Sequence, residues 1–294
     1  MAERWFSETL TPGTRLSLRA SRVLRHERTG SHELALFENE TFGRVLLLDG
    51  AVQVTSRDEF IYHEMLAHVP ILGHGGARNV LIVGGGDCGL AQEVLKHASV
   101  QHVVQVEVNP SVVELARRHF AEINAGVFAD PRFALVIADG AAYVHGTAER
   151  FDVVLIDSTD PIGPGAALFT YAFYADVHRL LRPGGVLVTQ NGVPFVQPQE
   201  FASALRNLAA TFRHVTSYAI CVPTYFGGHL ALGWSSDDDA ALRVSVEELE
   251  ARFAAAALST RYYSPRHHHA AFVLPRYMEE ALDAAVAAGR ALTP

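Results

Sequence analysis

Hydrophobic positions change their spacing twice along this chain. Between Arg15 and Thr55 they alternate. Leu16, Leu18 and Ala20 share one phase, and Glu33–Phe37 and Arg44–Leu48 read as further short strands. Asp49-Gly50, set between Leu48 and Ala51, predicts a two-residue hairpin turn, because both turn positions need positive φ. From Arg57 to Val69 the spacing becomes helical, with Phe60, Ile61, Met65 and Leu66 apolar and Pro70 as the predicted limit. From Asn79 onward, apolar runs of strand length alternate with helical stretches. The predicted strands are Val80–Val83, Val103–Glu107, Phe133–Asp139, Phe151–Asp157, Val186–Gln190, Val215–Ile220 and Leu230–Trp234. The predicted helices are Leu90–His97, Ser111–Phe120, Ala141–Ala148, Tyr171–Leu181 and Glu200–Leu208.

Such a βαβ series implies a mostly parallel sheet with helices on both faces. Asn109-Pro110 is a helix start, an N-cap followed by proline at the first helical position. Arg182-Pro-Gly-Gly185 stops the preceding helix. The last two strands lack a long helix between them, which allows an antiparallel edge. The tail from Val246 to Pro294 reads as two helical patches around an Arg261–Phe272 connector. The expected division is an N-terminal β-strand domain with its connecting helix over 1–70, and an α/β domain over 71–294.

The strand-to-helix junction at Val80–Gly89 reads Val-Leu-Ile-Val-Gly-Gly-Gly-Asp-Cys-Gly. A buried strand that ends in glycines at a helix N-terminus lets a backbone approach a nucleotide closely. Gly84, Gly86 and Gly89 satisfy the dinucleotide spacing G-x-G-x-x-G as well, so the motif alone decides nothing. The residues after the strands narrow the choice. Asp87, Glu107, Asp139 and Asp157 each stand at the carboxyl end of one of four successive predicted strands, the rim where open α/β sheets bind ligands. Any one of them suits a helix cap; four together point to one acidic pocket. Glu107 follows Gly89 at the distance of an acid that accepts from ribose hydroxyls, and Asp139-Gly140 resembles the acidic turn that receives adenine in S-adenosyl nucleotide enzymes. Asp157 and Asp160 open a loop rich in proline and glycine and are able to clasp one ammonium. A connection of this length is often a lid or binding loop.

Composition sharpens this picture in a few places. A net charge of −8 argues against a nucleic-acid backbone as partner and suits a cationic ligand. Lys96 is the single lysine and sits in the presumed helix after the glycine turn, which disfavours Schiff-base chemistry. No apolar run has membrane-span length, and the N-terminal residues show no signal core. With Cys88 and Cys221 the only cysteines, a cytoplasmic protein without a disulfide framework is expected. His267-His268-His269 is internal and reads as a helix-edge or loop cluster. No metal site is expected.

Four separated motifs carry a more specific resemblance. Gly84-Gly-Gly-Asp87, Asp157-Ser-Thr-Asp160-Pro-Ile-Gly-Pro164, Asp58-Glu-Phe-Ile-Tyr62-His63-Glu64-Met65 and Val222-Pro-Thr-Tyr225 together resemble the spermidine synthases, which are polyamine aminopropyltransferases. The match is to the bacterial branch and runs from about Trp5 to Pro275. The resemblance implies a Rossmann-like, methyltransferase-type catalytic domain behind a small N-terminal β domain. It also implies transfer of the aminopropyl group of decarboxylated S-adenosylmethionine, a co-substrate, to putrescine, with spermidine and methylthioadenosine as products. No further cofactor is implied, and the partner is a second copy of the chain, as homodimer or homotetramer.

By matching position, Asp157 is the implied catalytic base. Tyr62, His63, Asp87, Ser158, Thr159, Asp160 and Tyr225 are implied for the amine site. His32, Glu107, Asp139, Gly140, Pro164 and Gln190 are implied for the nucleoside. Cys88 stands where the family usually has glycine, Asn109 where an aspartate follows the ribose acid, and His32 where glutamine is frequent. The rival readings are a methyltransferase, an NAD-dependent oxidoreductase and a non-catalytic polyamine or nucleoside sensor.

Overall fold

A computed structural model describes residues 3–29, 32–159 and 163–292. The N-terminal region is all β: β1 (Arg4–Thr11) pairs with β2 (Thr14–Ala20), and β3 (Arg22–Thr29), β4 (His32–Asn39), β5 (Gly43–Leu48) and β6 (Ala51–Thr55) form an antiparallel sheet in chain order. Asp49 (φ 49°) and Gly50 (φ 81°) make the predicted hairpin turn between β5 and β6. Leu34 and Leu36 of β4 pack against Val112 and Leu115 of the larger domain.

The helix α1 (Glu59–His74) runs through Pro70 rather than ending before it, and Gly75 closes it in the left-handed conformation with its N–H on the Ile71 carbonyl. Proline inside a helix removes one hydrogen bond and usually costs about 3 kcal/mol or more. Here every residue from Ile61 to Gly73 is buried, so packing rather than local propensity fixes the helix. That burial on all sides also places α1 in the core of the α/β domain, against α2 (Gly89–Leu95) and β11 (Leu181–Gln190). A division of the chain at residue 70 therefore cuts through it.

The remaining strands are β7 (Asn79–Gly84), β8 (His102–Glu107), β9 (Phe133–Ile137), β10 (Phe151–Asp157), β12 (His214–Ile220) and β13 (Leu230–Ser236). They build one sheet with β11, in the order β12-β13-β11-β10-β7-β8-β9. The five from β11 to β9 are parallel, while β13 is antiparallel to both β11 and β12, which gives the expected antiparallel edge. Between β7 and β10 the strand order reverses, and the carboxyl ends of the strands at such a switch point are where open α/β sheets bind ligands.

Helices α3 (Pro110–His119), the short α4 (Ala121–Asn124), α5 (Gly140–Gly146), α6 (Tyr171–Leu180) and α7 (Pro198–Ala209) cover the sheet. Asn109 caps α3 by accepting from the Ser111 N–H, as its sequence predicts. The tail contains α8 (Val246–Ala255), α9 (Pro265–Ala271) and α10 (Arg276–Arg290), one helix more than the pattern predicts. The extra helix lies inside the 261–272 connector. It is a short, histidine-rich segment set by a cap, Ser264 accepting from the His267 N–H with Pro265 at the first position.

Glu64 of α1 ties this connector down: its two oxygens accept from the backbone N–H groups of Arg261, Tyr262 and Tyr263 at 2.7–2.8 Å. Each ring of the histidine triplet makes a contact within the fold. Tyr263 Oη is 2.9 Å from His268 Nδ1, His269 Nε2 is 2.8 Å from the Val244 carbonyl, and the His267 ring meets Tyr262 edge-on. Lys96 pairs with Glu93 at 2.6 Å. Among the described residues no helix is long and apolar enough to cross a membrane.

Candidate active site

Two carboxylates face each other across the switch in strand order because β7 and β10 are neighbours. Asp157, the last residue of β10, is the register partner of Gly84, the last residue of β7. After Gly84 the chain turns back on itself: the Gly85 N–H donates to the Asp157 carbonyl at 2.8 Å, and Gly84 and Gly85 have φ of 91° and 67°. Side chains are excluded here. A Cβ on Gly84 would lie 2.0 Å from the Asp157 carbonyl oxygen, and one on Gly85 would lie 2.7 Å from Asp157 Oδ2. Gln105 of β8 braces the turn from below, its Nε2 donating to the Gly84 carbonyl at 3.0 Å and to the Gly85 carbonyl.

The turn ends at Cys88, which is buried with φ of 62° and starts α2. That left-handed backbone is why glycine suits this position. The cysteine is tolerated because its short side chain is taken up in the core with Leu90 and Ala91, and burial together with Asp87 holds its thiol protonated.

Tyr62 and His63 of α1 reach this turn from one side. Tyr62 donates its phenol to Asp157 Oδ1 at 2.9 Å. Asp157 Oδ2 and Ser158 Oγ are buried and have no hydrogen-bond partner among the described residues. Burial, followed by the neighbouring charge of Asp87, pushes the Asp157 carboxyl up to about 7, even though His63 and Tyr62 pull the other way. Burial also raises the Asp87 carboxyl, while the charge of His63 opposes this. Asp87 accepts from the Gly89 N–H at 2.7 Å and lies 3.5 Å from His63 Nε2. On its other side the His63 ring meets Glu59, Nδ1 to Oε2 at 2.7 Å.

Tyr225 closes the cluster edge-on against Tyr62, with ring centroids 6.0 Å apart, and donates its hydroxyl to the Gln53 carbonyl of β6 at 2.6 Å. The N-terminal domain thus holds one wall of the site. Asp58 fixes the loop that carries Tyr225. Its Oδ2 accepts from the N–H and hydroxyl of Thr224, and its Oδ1 from the hydroxyl of Thr55.

The other acids line up along the same rim. Glu107 ends β8 and accepts from the Asn109 N–H at 2.7 Å; a Cβ on Gly86 would come within 3.1 Å of its Oε2. Asn109 therefore does two things locally, orienting the acid through its backbone and capping α3 through its side chain. Strand β9 stops at Ile137 instead of Asp139, because Asp139 is the N-cap of α5 and accepts from the Ala142 N–H at 2.8 Å. It remains solvent-exposed, and Gly140 after it packs so closely that a Cβ would meet Val83 Cγ1 at 2.5 Å. Gln190 ends β11 and accepts from the Gly192 N–H.

Of the residues singled out in the sequence, the structure gathers Tyr62, His63, Asp87, Asp157, Ser158 and Tyr225 into one cluster. Thr159 is exposed just beyond it. Asp160 and the side chains of Pro164 and His32 lie outside the described residues; the described part of the loop is a 3-10 helix, Gly163–Phe169. Residues that sequence reading passes over are Glu59, Asp58, Thr224 and Gln105. Glu59 at four residues before His63 was the visible signal, a helical i,i+4 pair. Gln105 was legible only as a polar residue inside an apolar strand.

Comparison with known proteins bears on what this site does. Residues 59–245 match the family model described as the spermine/spermidine synthase domain, and residues 4–56 match that of the spermidine synthase tetramerisation domain. A polyamine aminopropyltransferase from Ruegeria sp. (strain TM1040) is 50% identical over 278 residues, 95% of this chain and 98% of that protein. One from Klebsiella pneumoniae is 50% identical over 262 residues, 89% of this chain and 92% of that protein. A spermidine synthase solved in complex with the transition-state analogue AdoDATO superposes with a TM-score of 0.90 at 35% identity, covering 96% of this chain and 95% of that one. Spermidine synthase from Thermotoga maritima superposes with a TM-score of 0.87 at 33% identity, over 95% and 94% of the two chains.

Proposed function

The chain belongs to the spermine/spermidine synthase family of polyamine aminopropyltransferases, and from that premise we propose that it transfers the aminopropyl group of decarboxylated S-adenosylmethionine to putrescine. A C–N bond forms between the acceptor amine and the methylene beside the sulfonium. The C–S bond breaks, methylthioadenosine leaves with the sulfur electron pair, and the amine loses one proton. An aliphatic ammonium with pKa near 10.4 costs roughly 4–5 kcal/mol to deprotonate at pH 7, so a proton acceptor at the nitrogen is needed. Asp157 is that acceptor in our reading.

The observation that carries this reading is Asp157 Oδ2, buried and without a hydrogen-bond partner among the described residues, on a carboxyl that burial and Asp87 push up to about 7. Tyr62 orients the carboxylate, while Asp87, His63, Ser158, Thr159, Asp160 and Tyr225 surround the amine. Glu107, Asp139 and Gly140 hold the nucleoside, with His32, Pro164 and Gln190 beside it. Both substrates are cations, and a carboxylate-lined pocket offsets their mutual repulsion. The same carboxylates disfavour ordinary S-adenosylmethionine, whose own carboxylate they repel. The reaction needs no metal or redox cofactor. We further propose that the protein is cytoplasmic and forms a homo-oligomer; the tetramerisation-domain match over 4–56 supports the oligomer. The test is mass spectrometry of products from a mixed pool of putrescine, cadaverine, agmatine and spermidine with either sulfonium donor. Spermidine plus methylthioadenosine is expected, and methylated products would contradict the reading.

The pH dependence has a definite sign. A raised carboxyl keeps its proton below its midpoint and accepts one only above it, so kcat/KM, which reports the free enzyme, falls on the acid side. An acid limb centred near pH 7 is expected. A profile flat from pH 5.5 to 8 would rule Asp157 out as the titrating base. For the nucleoside, Glu107→Gln removes the charge that strengthens hydrogen bonds to a diol, worth roughly 1.5–3 kcal/mol. The expected result is methylthioadenosine affinity weakened at least tenfold in calorimetric titration, with putrescine KM little changed. Unchanged affinity would refute the ribose role.

A further inference from the structure

One feature of the cluster is not explained by substrate contact alone. The His63 ring sits between two carboxylates, Glu59 Oε2 at 2.7 Å from Nδ1 and Asp87 Oδ1 at 3.5 Å from Nε2, and its side chain is only 3% exposed. The groups that face it are Glu59 and Tyr62 from its own helix, Asp87 from the β7–α2 turn and Asp157 from β10. The fold makes room for this contact. A Cβ on Gly89 would lie 2.4 Å from His63 Cε1, so the glycine that opens α2 is what lets the ring approach. A neutral imidazole has one N–H and one acceptor nitrogen. Facing a carboxylate with each nitrogen, it satisfies both only when both carry protons.

We propose that Glu59 is a positioning residue for the transfer: by holding the Nδ1–H of His63 it keeps the ring a doubly protonated bridge to Asp87, which leaves Asp157 as the carboxylate that receives the proton of the amine. Burial works against charge on His63, but Asp87 and then Glu59 outweigh it and push the imidazolium up to about 10. Asp87 is thereby faced by a cation, whose charge opposes the rise that burial imposes on its carboxyl. Among the described residues Asp157 has the Tyr62 phenol on one oxygen and no hydrogen-bond partner on the other. Two like carboxylates at adjacent strand ends are thus given different tasks. His63 itself neither gives nor takes a proton during transfer; the proton moves from the amine nitrogen to Asp157 Oδ2. This inference rests on the reading of Asp157 as base, and the test separates the two.

The first measurement is an NMR titration of the full chain labelled at histidine, with the His63 signal identified by its loss in His63→Gln. In the parent protein His63 is expected to stay an imidazolium beyond pH 9, and in Glu59→Gln its midpoint is expected to fall by more than about one pH unit. The second is the pH profile of kcat/KM. Without a firm imidazolium beside it Asp157 becomes harder to ionise, so the acid limb of Glu59→Gln moves to higher pH, while Glu59→Asp, which keeps the charge, lies between variant and parent. A His63 midpoint unmoved by Glu59→Gln, or a loss of rate equal at every pH, overturns the proposal. If Glu59→Gln does not fold, the parent titration decides, because a neutral His63 at pH 8 overturns it equally. Should Asp157→Asn prove active, the base assignment falls while the His63 midpoints still report on Glu59.

Discussion

Asp157→Asn lowers turnover at pH 7.5 by at least about 10²-fold, the usual scale for removing a positioned general base, while methylthioadenosine binding stays within about twofold of the parent. Asparagine keeps the shape of aspartate, and its amide oxygen still accepts from the Tyr62 hydroxyl, which stands 2.9 Å from Oδ1. The atom that changes is Oδ2, which has no hydrogen-bond partner among the described residues and becomes an NH2 group that cannot take a proton. Stability supplies the control. A carboxyl raised in the folded state favours folding at low pH, and that contribution is lost as pH rises through about 7. Above pH 7 the native protein holds an ionised carboxylate in a buried site, a cost that the amide does not carry. Asp157→Asn is therefore expected to melt at or above the parent temperature at pH 8. An inactive but less stable variant would point to misfolding, and near-parent turnover in a stable one would remove Asp157 from the chemistry.

The parts of this molecule legible in its sequence are those set by local rules. The βαβ texture, the Asp49-Gly50 turn and the Asn109-Pro110 helix start each depend on a few neighbouring residues, and each stands in the structure as read. The acidic rim was legible because strand ends are recognisable and the parallel sheet brings them together. What the sequence could not disclose depends on burial or on distant partners. Pro70 reads as a stop, yet α1 continues because its whole surface is covered. Short α9 reads as connector, since its cap is visible only once Ser264 and Pro265 are known to start a helix. Asp58 and Glu64 look like ordinary charged residues of an amphipathic helix. In the fold each is a buried anchor, Asp58 for Thr224 and Glu64 for three amides of the tail. The pairing of Tyr225 with the Gln53 carbonyl joins residues far apart in sequence and from two domains, and no spacing rule announces it.

Gly84→Ala is the other substitution expected to act severely, and it tests the turn rather than the base. At φ of 91° an alanine is strained wherever it sits, by about 1–2 kcal/mol. Its methyl would also stand 2.0 Å from the Asp157 carbonyl oxygen and 2.8 Å from the carbonyl carbon, which are backbone atoms of the adjacent strand and have no rotamer to retreat into. Relief requires β7 and β10 to part where they are paired, which breaks the Gly85 N–H bond to the same carbonyl. The combined cost falls in the exceptional range above about 4 kcal/mol, equivalent to roughly 6–7 °C or more in melting temperature for a chain of this size. Whatever folds carries Asp157 out of place, and a displacement of about 1 Å at a reacting group costs on the order of 10²-fold in rate. Gly146→Ala is the matched comparison: it lies in the same domain, has negative φ, and its added methyl meets nothing within 4 Å. That variant is expected to keep parental melting and turnover. If Gly84→Ala behaves the same way, the glycine turn does not set the position of Asp157, and the reason for three successive glycines lies elsewhere.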